Sequence, residues 1–124
     1  LLRNTHLADG SGLSRENTSS CRDICSLLHH MHHSEHRKMW YDSLAVSGQS
    51  GTLLNTKNNL LPKDRFWGKT GTLRDVRALS GYYKCENGSI VIVSVLQNHA
   101  NCGKFSESVI KLLREIDEKQ KNPN

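Results

Sequence analysis

Long hydrophobic runs are missing from this sequence of 124 residues. None approaches the ~20 residues that a helix needs to cross a bilayer, so no stretch predicts a membrane span. Aromatic residues make up only 6% of the chain and hydrophobic residues 35%. These proportions limit the core to the modest size expected of one small domain.

Acidic residues are outnumbered, with 12 Asp and Glu against 17 Lys and Arg, which gives a net charge of +5. The basic residues are scattered, with only small groups at 37–38 and 119–121. Scatter of this kind is typical of a solvated surface and does not favour nucleic acid as a partner. A mildly basic surface would suit an anionic polymer.

Helical periodicity stands out near the N-terminus and at the C-terminal end. After a possible cap at Asn17, Thr18 or Ser19, apolar residues recur at three- and four-residue steps and predict a helix that ends near His33. A shorter helix is predicted around Met39. A third helix is predicted over 105–116, followed by a frayed tail over 118–124. The apolar face of the third helix consists of Phe105, Val109, Leu112, Leu113 and Ile116.

Three strands are predicted between these helices, over 65–73, 78–85 and 90–96. Asn87-Gly88 is a strong hairpin signal between the second and third. The polar stretch 55–64 contains a proline at Pro62 and is predicted to be a loop.

The segment 67–73 reads Trp-Gly-Lys-Thr-Gly-Thr-Leu and lies on the first predicted strand. Lys69 supplies a cation, and Thr70 and Thr72 supply hydroxyls on one face because strand side chains alternate. Gly71 leaves no side chain to obstruct a ligand. A peptide that ends in a free carboxylate could pair with such a strand and meet these groups.

The segment 9–17 reads Asp-Gly-Ser-Gly-Leu-Ser-Arg-Glu-Asn and has the composition of a turn. It places Ser14 and Asn17 immediately before the first helix. One interpretation is a glycine-rich turn with a helix cap, and the other is a functional loop; the two are compatible.

Together the ordered segments 9–17 and 67–73 resemble the penicillin-binding protein 4 type D-alanyl-D-alanine carboxypeptidases, peptidase family S13. The resemblance implies a fold of the α/β type in the broad sense, α+β, with a transpeptidase- and β-lactamase-like antiparallel sheet flanked by helices. Residues 1–124 would supply the C-terminal part of that domain, and the rest would come from an N-terminal part of the same protein.

The same resemblance implies a serine-type D-Ala-D-Ala carboxypeptidase or endopeptidase that acts through an acyl-enzyme. Ser14 and Lys69 would handle the proton, and Asn17 is chosen over Glu16 as the amide ligand. Thr70 and Thr72, with Gly71 between them, would bind the terminal carboxylate of a peptidoglycan peptide ending in D-Ala-D-Ala. β-Lactams would bind at the same site. The family implies no cofactor and no metal, and a periplasmic or otherwise extracytoplasmic location.

The nucleophile that this chemistry needs is a serine with a lysine three residues later. The chain contains this spacing once, at Ser108 and Lys111, where Val109 and Ile110 are typical of packing residues. The order relative to the other motifs is wrong for the family. We therefore expect the nucleophile to lie outside these residues and the chain alone to be inactive.

Two other functions remain open from the sequence. The scaffold could serve as a non-catalytic module that binds cell-wall peptides. Alternatively, histidine pairs four residues apart, with Cys25 a further four residues before His29, could hold zinc in a small Cys/His protein. The four cysteines fit either redox compartment, and their pairing cannot be deduced. The histidines of this cluster are His29, His30, His32, His33 and His36.

Overall fold

The structure is a computed structural model that describes residues 2–55, 61–98 and 102–122. Its elements are α1 (Cys21–His32), α2 (Arg37–Ser43), β1 (Ala45–Val46), β2 (Phe66–Leu73), β3 (Val76–Lys84), β4 (Ile90–Asn98) and α3 (Phe105–Lys121). The four strands form one sheet in the order β1-β2-β3-β4, and every neighbouring pair is antiparallel. The predicted antiparallel sheet flanked by helices is confirmed.

One face of the sheet packs against α3. Phe66 and Tyr83 are opposite each other on β2 and β3 and are almost completely buried. Val109 and Leu113 come from the apolar face of α3 and belong to the same core cluster. Because strand side chains alternate, every second residue along β2 and β3 faces this core.

The opposite face carries Tyr82, which is fully buried beneath α1 and α2. Its hydroxyl donates to the Leu28 carbonyl at 2.7 Å and accepts from Trp40 Nε1 at 2.9 Å. The Tyr41 ring stacks on the Tyr82 ring with centroids 4.4 Å apart. These contacts fix both helices against the sheet.

His32 extends this aromatic cluster from the end of α1. Its Nδ1 lies 2.8 Å from the Tyr41 hydroxyl, and its ring centroid lies 5.7 Å from that of Tyr82. Burial, followed by the positive charge of Arg37, lowers the pKa of His32 below its usual value of 6.5. The neutral imidazole is therefore the form that the folded protein favours.

We expect the free energy of unfolding to fall as the pH is lowered through 6.5, because the unfolded chain then binds a proton that folded His32 takes up only at lower pH. His32→Gln should weaken this dependence between about pH 7.5 and 5.5, as measured by denaturant unfolding. His30→Gln, at an exposed position on the same helix, is the matched control. An unchanged pH dependence in His32→Gln would contradict the prediction.

The final helix is longer than predicted. It continues to Lys121 and so extends into the segment 118–124 that was predicted to be a tail, while 123–124 lie outside the described residues. Asp117 is buried on this helix, and Lys121 forms an ion pair with Glu86. The Gln120 carbonyl accepts from Asn87 Nδ2 at 3.1 Å. The last turn is held by contacts with the β3–β4 turn that no local pattern reveals.

The start of α1 also differs from the prediction. Ser20, rather than a residue at 17–19, caps the helix by accepting from the Asp23 N–H at 3.1 Å. Thr18 instead forms an antiparallel bridge with His6, which closes the intervening loop. Of the predicted loop 55–64, residues 56–60 lie outside the described residues.

Candidate functional site

Among the residues that the structure describes, the outer edge of β2 is open along most of its length. β1 pairs only with Gly68 and Trp67. A longer β1 would have to begin before Ala45 to reach Lys69, but α2 ends at Ser43, just before that point. Within the described ranges 2–55, 61–98 and 102–122, no strand pairs with 69–73 on the side away from β3. An unpaired strand edge can hold an extended peptide through main-chain hydrogen bonds.

The direction of the backbone groups on this edge follows from the hydrogen bonds of Phe66. Its N–H donates to Ser47 Oγ at 3.1 Å, and its carbonyl accepts from the Ser47 N–H at 2.9 Å. In an antiparallel ladder the residues that face a given side alternate. The backbone groups of Thr70 and Thr72 therefore point towards the open edge, where an N–H can stabilise a developing oxyanion.

Lys69 projects from the sheet face that carries α1. Its side chain is exposed and curls around the edge, so that Nζ donates to the Thr70 carbonyl at 2.7 Å. Across the sheet it is in register with Ser80 and Ser94, whose hydroxyls lie 2.9 Å apart. The Lys69 ammonium group therefore lies beside the strand edge, on the sheet face opposite to the one that packs against α3.

Thr70 and Thr72 project from the other face, towards α3. Thr70 Oγ1 donates to Thr52 Oγ1 at 2.8 Å, from the short 3-10 helix Gly51–Leu53. A cavity of about 190 Å³ lies below these hydroxyls, between the edge of β2 and the start of α3. The predicted common face of the two threonines is thus observed, and it adjoins a space that could hold a small group.

Gly71 lies between the two threonines and faces the same side as Lys69. A Cβ at this position would meet only the Ala78 Cβ, at 3.2 Å. The fold could therefore absorb a methyl group here with a small shift. The predicted reason for a glycine, free access for a ligand, is compatible with this geometry.

The loop before α1 is organised around one carboxylate. Asp9 accepts hydrogen bonds from Ser11 Oγ at 2.7 Å, the Gly12 N–H at 3.1 Å, the Ser14 N–H at 3.0 Å and Asn17 Nδ2 at 2.7 Å. These bonds, that of Asn17 foremost, hold the pKa of the Asp9 carboxyl well below its usual range. The loop is closed by its own side chains.

Asn17 uses its whole amide for this closure. Besides the bond to Asp9, its Oδ1 accepts from the Ala8 N–H at 2.8 Å and from the Asp9 N–H at 3.3 Å. The Ser14 Oγ accepts from the Glu16 N–H at 3.2 Å. Both candidate side chains therefore form their hydrogen bonds inside the loop.

The loop contacts the sheet at the β2–β3 turn, where Arg15 pairs with Asp75 at 3.1 Å. Lys69 lies four residues before the end of β2 at Leu73, or ~13 Å along the strand. Among the described residues, no hydrogen bond joins Ser14 to Lys69. The structure brings Lys69, Thr70 and Thr72 together on one edge and attaches the Ser14 loop to the end of that edge.

Sequence reasoning missed two residues of this region. Thr52 reaches Thr70 only because the chain folds back after β1, and no local motif signals that contact. Asp9 lies in the predicted turn, but its role as the common acceptor was not predicted, although an Asp-Gly pair followed by serine is a frequent site of side-chain to backbone turns.

The Ser-x-x-Lys spacing in α3 lies on the solvent side of the helix. Ser108 is exposed, and its hydroxyl donates to the Lys104 carbonyl at 3.1 Å. Lys111 lies 3.9 Å from Glu115, and the intervening Val109 is buried in the core. Ser108 and Lys111 are not among the residues that line the cavity below Thr70.

The histidine-rich end of α1 borders a wide groove of about 680 Å³. The His29 and His33 rings lie 4.3 Å apart, and His33 Nδ1 bonds to the His29 carbonyl. In the part of the chain that the structure describes, no three His, Cys, Asp or Glu side chains gather as a metal site. Cys21, Cys25 and Cys85 are free thiols.

Helices capable of crossing a bilayer are not found among the described residues, since none is both long and apolar enough.

Solved penicillin-binding proteins share this fold. Penicillin-binding protein 4 from Haemophilus influenzae matches with a TM-score of 0.81 and 23% identity, over 94% of this chain and 28% of that chain. Its complex with a β-lactam matches with a TM-score of 0.76 and 22% identity, over 97% of this chain and 29% of that chain. A predatory endopeptidase from Bdellovibrio bacteriovorus, in complex with an immunity protein, matches with a TM-score of 0.74 and 19% identity, over 94% and 33% of the two chains. These likenesses show that this chain has the fold of the matching parts of those proteins.

A sequence model of the D-Ala-D-Ala carboxypeptidase 3 (S13) family matches residues 2–116, and this chain belongs to that family. A D-alanyl-D-alanine carboxypeptidase from Actinomadura sp. (strain R39) is 34% identical over 99 residues, which is 76% of this chain. The match spans 18% of the length of that carboxypeptidase. The family predicted from the two motifs is confirmed.

Proposed function

We propose that this chain forms part of a serine-type D-Ala-D-Ala carboxypeptidase or endopeptidase that acts on peptidoglycan peptides. The observation that carries the proposal is the open edge of β2, with Lys69 on one side and the hydroxyls of Thr70 and Thr72 on the other. An extended peptide laid along this edge would place its terminal carboxylate beside those groups.

The reaction proceeds in two acyl transfers. A serine Oγ attacks the carbonyl of the penultimate D-alanine, the peptide C–N bond breaks, and the departing amine of the terminal D-alanine takes up a proton. Water then hydrolyses the ester and regenerates the serine hydroxyl. The Thr72 N–H stabilises the oxyanion from the open edge, and Lys69 supplies positive charge for the proton transfer.

Ser14 is the proposed proton carrier of the loop, and Asn17 supports it. Because the Asn17 amide is bound to Asp9, its contribution is to hold the Ser14 turn in shape. A direct contact of Asn17 with a substrate carbonyl would require that bond to open. Thr70, Thr72 and Gly71 form the carboxylate-binding edge.

The nucleophilic serine and its lysine are proposed to lie in an N-terminal part of the same protein, which completes the site. The buried Val109 and the solvent-facing Ser108 support this assignment, because the Ser-x-x-Lys spacing of α3 is part of a packed helix. Partners would be peptides ending in D-Ala-D-Ala and β-lactams, as a β-lactam complex of the related protein from Haemophilus influenzae suggests. The proposed location is periplasmic or otherwise extracytoplasmic.

Covalent labelling tests the proposal. The complete polypeptide that contains residues 1–124 is expected to bind a fluorescent penicillin covalently, and peptide mass spectrometry should locate the adduct on a serine outside these residues. An adduct on Ser14 or Ser108 would contradict the assignment of the nucleophile. The chain of 124 residues alone should form no adduct.

A non-catalytic module for cell-wall peptides is the second candidate. The position of Ser108 and Lys111 on the solvent side of α3 favours it, because the described residues then place no Ser-x-x-Lys pair at the candidate site. Binding of a D-Ala-D-Ala peptide by the complete polypeptide without any penicillin adduct would support this function over catalysis.

A further inference from the structure

A second cation lies near the open edge, on a strand that neither motif includes. Arg77 is on β3 directly opposite Thr72 in the register of the sheet. Since paired residues share a face, its side chain projects to the α3 side with Thr70 and Thr72. Lys69 projects to the other side. The alternation of β2 therefore separates Lys69 from the threonine hydroxyls and places Arg77 with them.

Arg77 is half-buried and held in place. Its Nη1 donates to the Leu73 carbonyl at 2.6 Å and to the Val76 carbonyl at 2.9 Å, at the two ends of the β2–β3 turn. A guanidinium has five N–H donors in a planar fork, so two bonds from Nη1 do not exhaust it. A fixed guanidinium binds a carboxylate with less loss of side-chain freedom than a flexible lysine does.

Arg77, Thr70 and Thr72 line the cavity of about 190 Å³. The remaining lining supplies Thr52 and Ser106 as polar groups over an apolar floor, and among the described residues it includes no acidic side chain. A cation and several hydroxyls above an apolar floor suit a small carboxylic acid whose side chain is apolar. The C-terminal residue of a D-Ala-D-Ala peptide has this chemistry.

We propose that Arg77 is a substrate-binding residue, and that it receives the C-terminal carboxylate of the peptide in the cavity below Thr70 and Thr72. This inference rests on the proposed function, because it places the end of the same peptide. It divides the charges between two roles: Lys69 serves the reacting groups, and Arg77 serves the carboxylate on the opposite face.

Binding measurements separate this role from catalysis. The probe is a fluorescent D-Ala-D-Ala peptide in which a ketomethylene group replaces the scissile amide, so that it cannot be hydrolysed. Its C-terminal carboxamide is the uncharged comparison. The complete polypeptide should bind the carboxylate more tightly than the carboxamide, as measured by fluorescence anisotropy.

Arg77→Gln should weaken binding of the carboxylate by ~10- to 100-fold and leave that of the carboxamide within ~3-fold, the loss expected for a hydrogen-bonded charge. Arg77→Lys should retain part of the preference. An Arg77→Gln protein with the full preference for the carboxylate, or a wild-type protein with none, would overturn the inference.

A second variant avoids the hydrogen bonds of the β2–β3 turn. Ser106→Asp places a negative charge in the cavity from the first turn of α3, where an acidic side chain favours the helix. It should weaken binding of the carboxylate selectively, whereas Ser108→Asp, on the solvent side, should not. Equal effects of the two variants would count against the site.

The two proposals can fail separately. If no penicillin adduct forms but the preference for the carboxylate disappears in Arg77→Gln, acyl transfer is wrong and the carboxylate site stands. If the adduct forms and the preference persists in Arg77→Gln, acyl transfer stands and the role of Arg77 is wrong.

Discussion

Lys69→Ala is expected to lower the rate of covalent labelling by a fluorescent penicillin at least ~100-fold, the effect of removing one positioned electrostatic group from an acyl-transfer site. Lys69 is the cation that reaches the Thr70 carbonyl on the open edge of β2. Without it, the charge that develops during proton transfer loses its stabilising partner. The measurement is the labelling rate of the complete polypeptide as a function of penicillin concentration.

The stability of the fold should hardly change in this variant. The side chain of Lys69 is exposed, and truncations at exposed positions usually alter the free energy of unfolding by less than ~0.5 kcal/mol. Lys84→Ala removes an equal charge from an exposed position on β3 and is the matched control. Undiminished labelling of Lys69→Ala would remove the main support for the proposed function.

Asp117→Ala is expected to destabilise the fold by ~3 kcal/mol, because it leaves a partly buried cation without its partner. Each carboxylate oxygen of Asp117 accepts a hydrogen bond from Arg65 Nη2 at 3.0 Å. Its Oδ2 also accepts one from the Tyr83 hydroxyl at 2.6 Å. The Glu86 N–H donates a further bond at 2.9 Å. One side chain thus ties α3 to the start of β2 and to the end of β3.

The pKa values of Asp117 and Tyr83 agree with a role of Asp117 in tying α3 to the sheet. Burial acts to raise the pKa of Asp117, but the bonds from Tyr83, Glu86 and Arg65 outweigh it and hold the pKa below its usual value of 3.8. Burial raises the pKa of the Tyr83 hydroxyl, so it stays a donor. The stabilisation from Asp117 should therefore persist down to acidic pH and be lost as the pH falls through the lowered pKa.

Urea unfolding and hydrogen exchange on the complete polypeptide check the Asp117 prediction. Asp117→Ala should raise the exchange rates of amides in α3 and in the turn at 86–89, and Asp117→Asn should have a smaller effect. Glu118→Ala is the matched control, since it removes the same charge from an exposed neighbour. Equal destabilisation by the two alanine variants would show that the network does not anchor the helix.

Local patterns were sufficient for most of the fold. The predicted strands over 65–73, 78–85 and 90–96 correspond to β2, β3 and β4, because alternation and β-branching depend on near neighbours only. The end of α3 was predicted at residue 116 but lies at Lys121, because it depends on contacts between residues that are distant along the chain. Its last turn depends on Asp117, whose partners are 31 to 52 residues away along the chain.

In the candidate site, too, some features follow from neighbouring residues in the sequence and others depend on distant contacts. Lys69, Thr70 and Thr72 could be predicted as candidate site residues because they are adjacent in sequence and strand periodicity orders their faces. Asn17 was predicted to bind a substrate carbonyl, and in the structure its amide is bound to Asp9 and to the Ala8 N–H. An asparagine has the same donors and acceptors in both roles, and only its neighbours in space distinguish them.

By itself the sequence indicated the family through the two ordered segments 9–17 and 67–73, and that resemblance implied the antiparallel sheet. The motif that carries Lys69 follows from residues within one short segment. Only the tertiary structure shows that, among the described residues, the edge beyond Gly68 is open, and that Arg77 shares a cavity with Thr70 and Thr72. Those facts depend on strand register and on where α2 ends. The cavity also takes its walls from Thr52 and Ser106, which are far from β2 and β3 along the chain, so no local pattern of residue types encodes it.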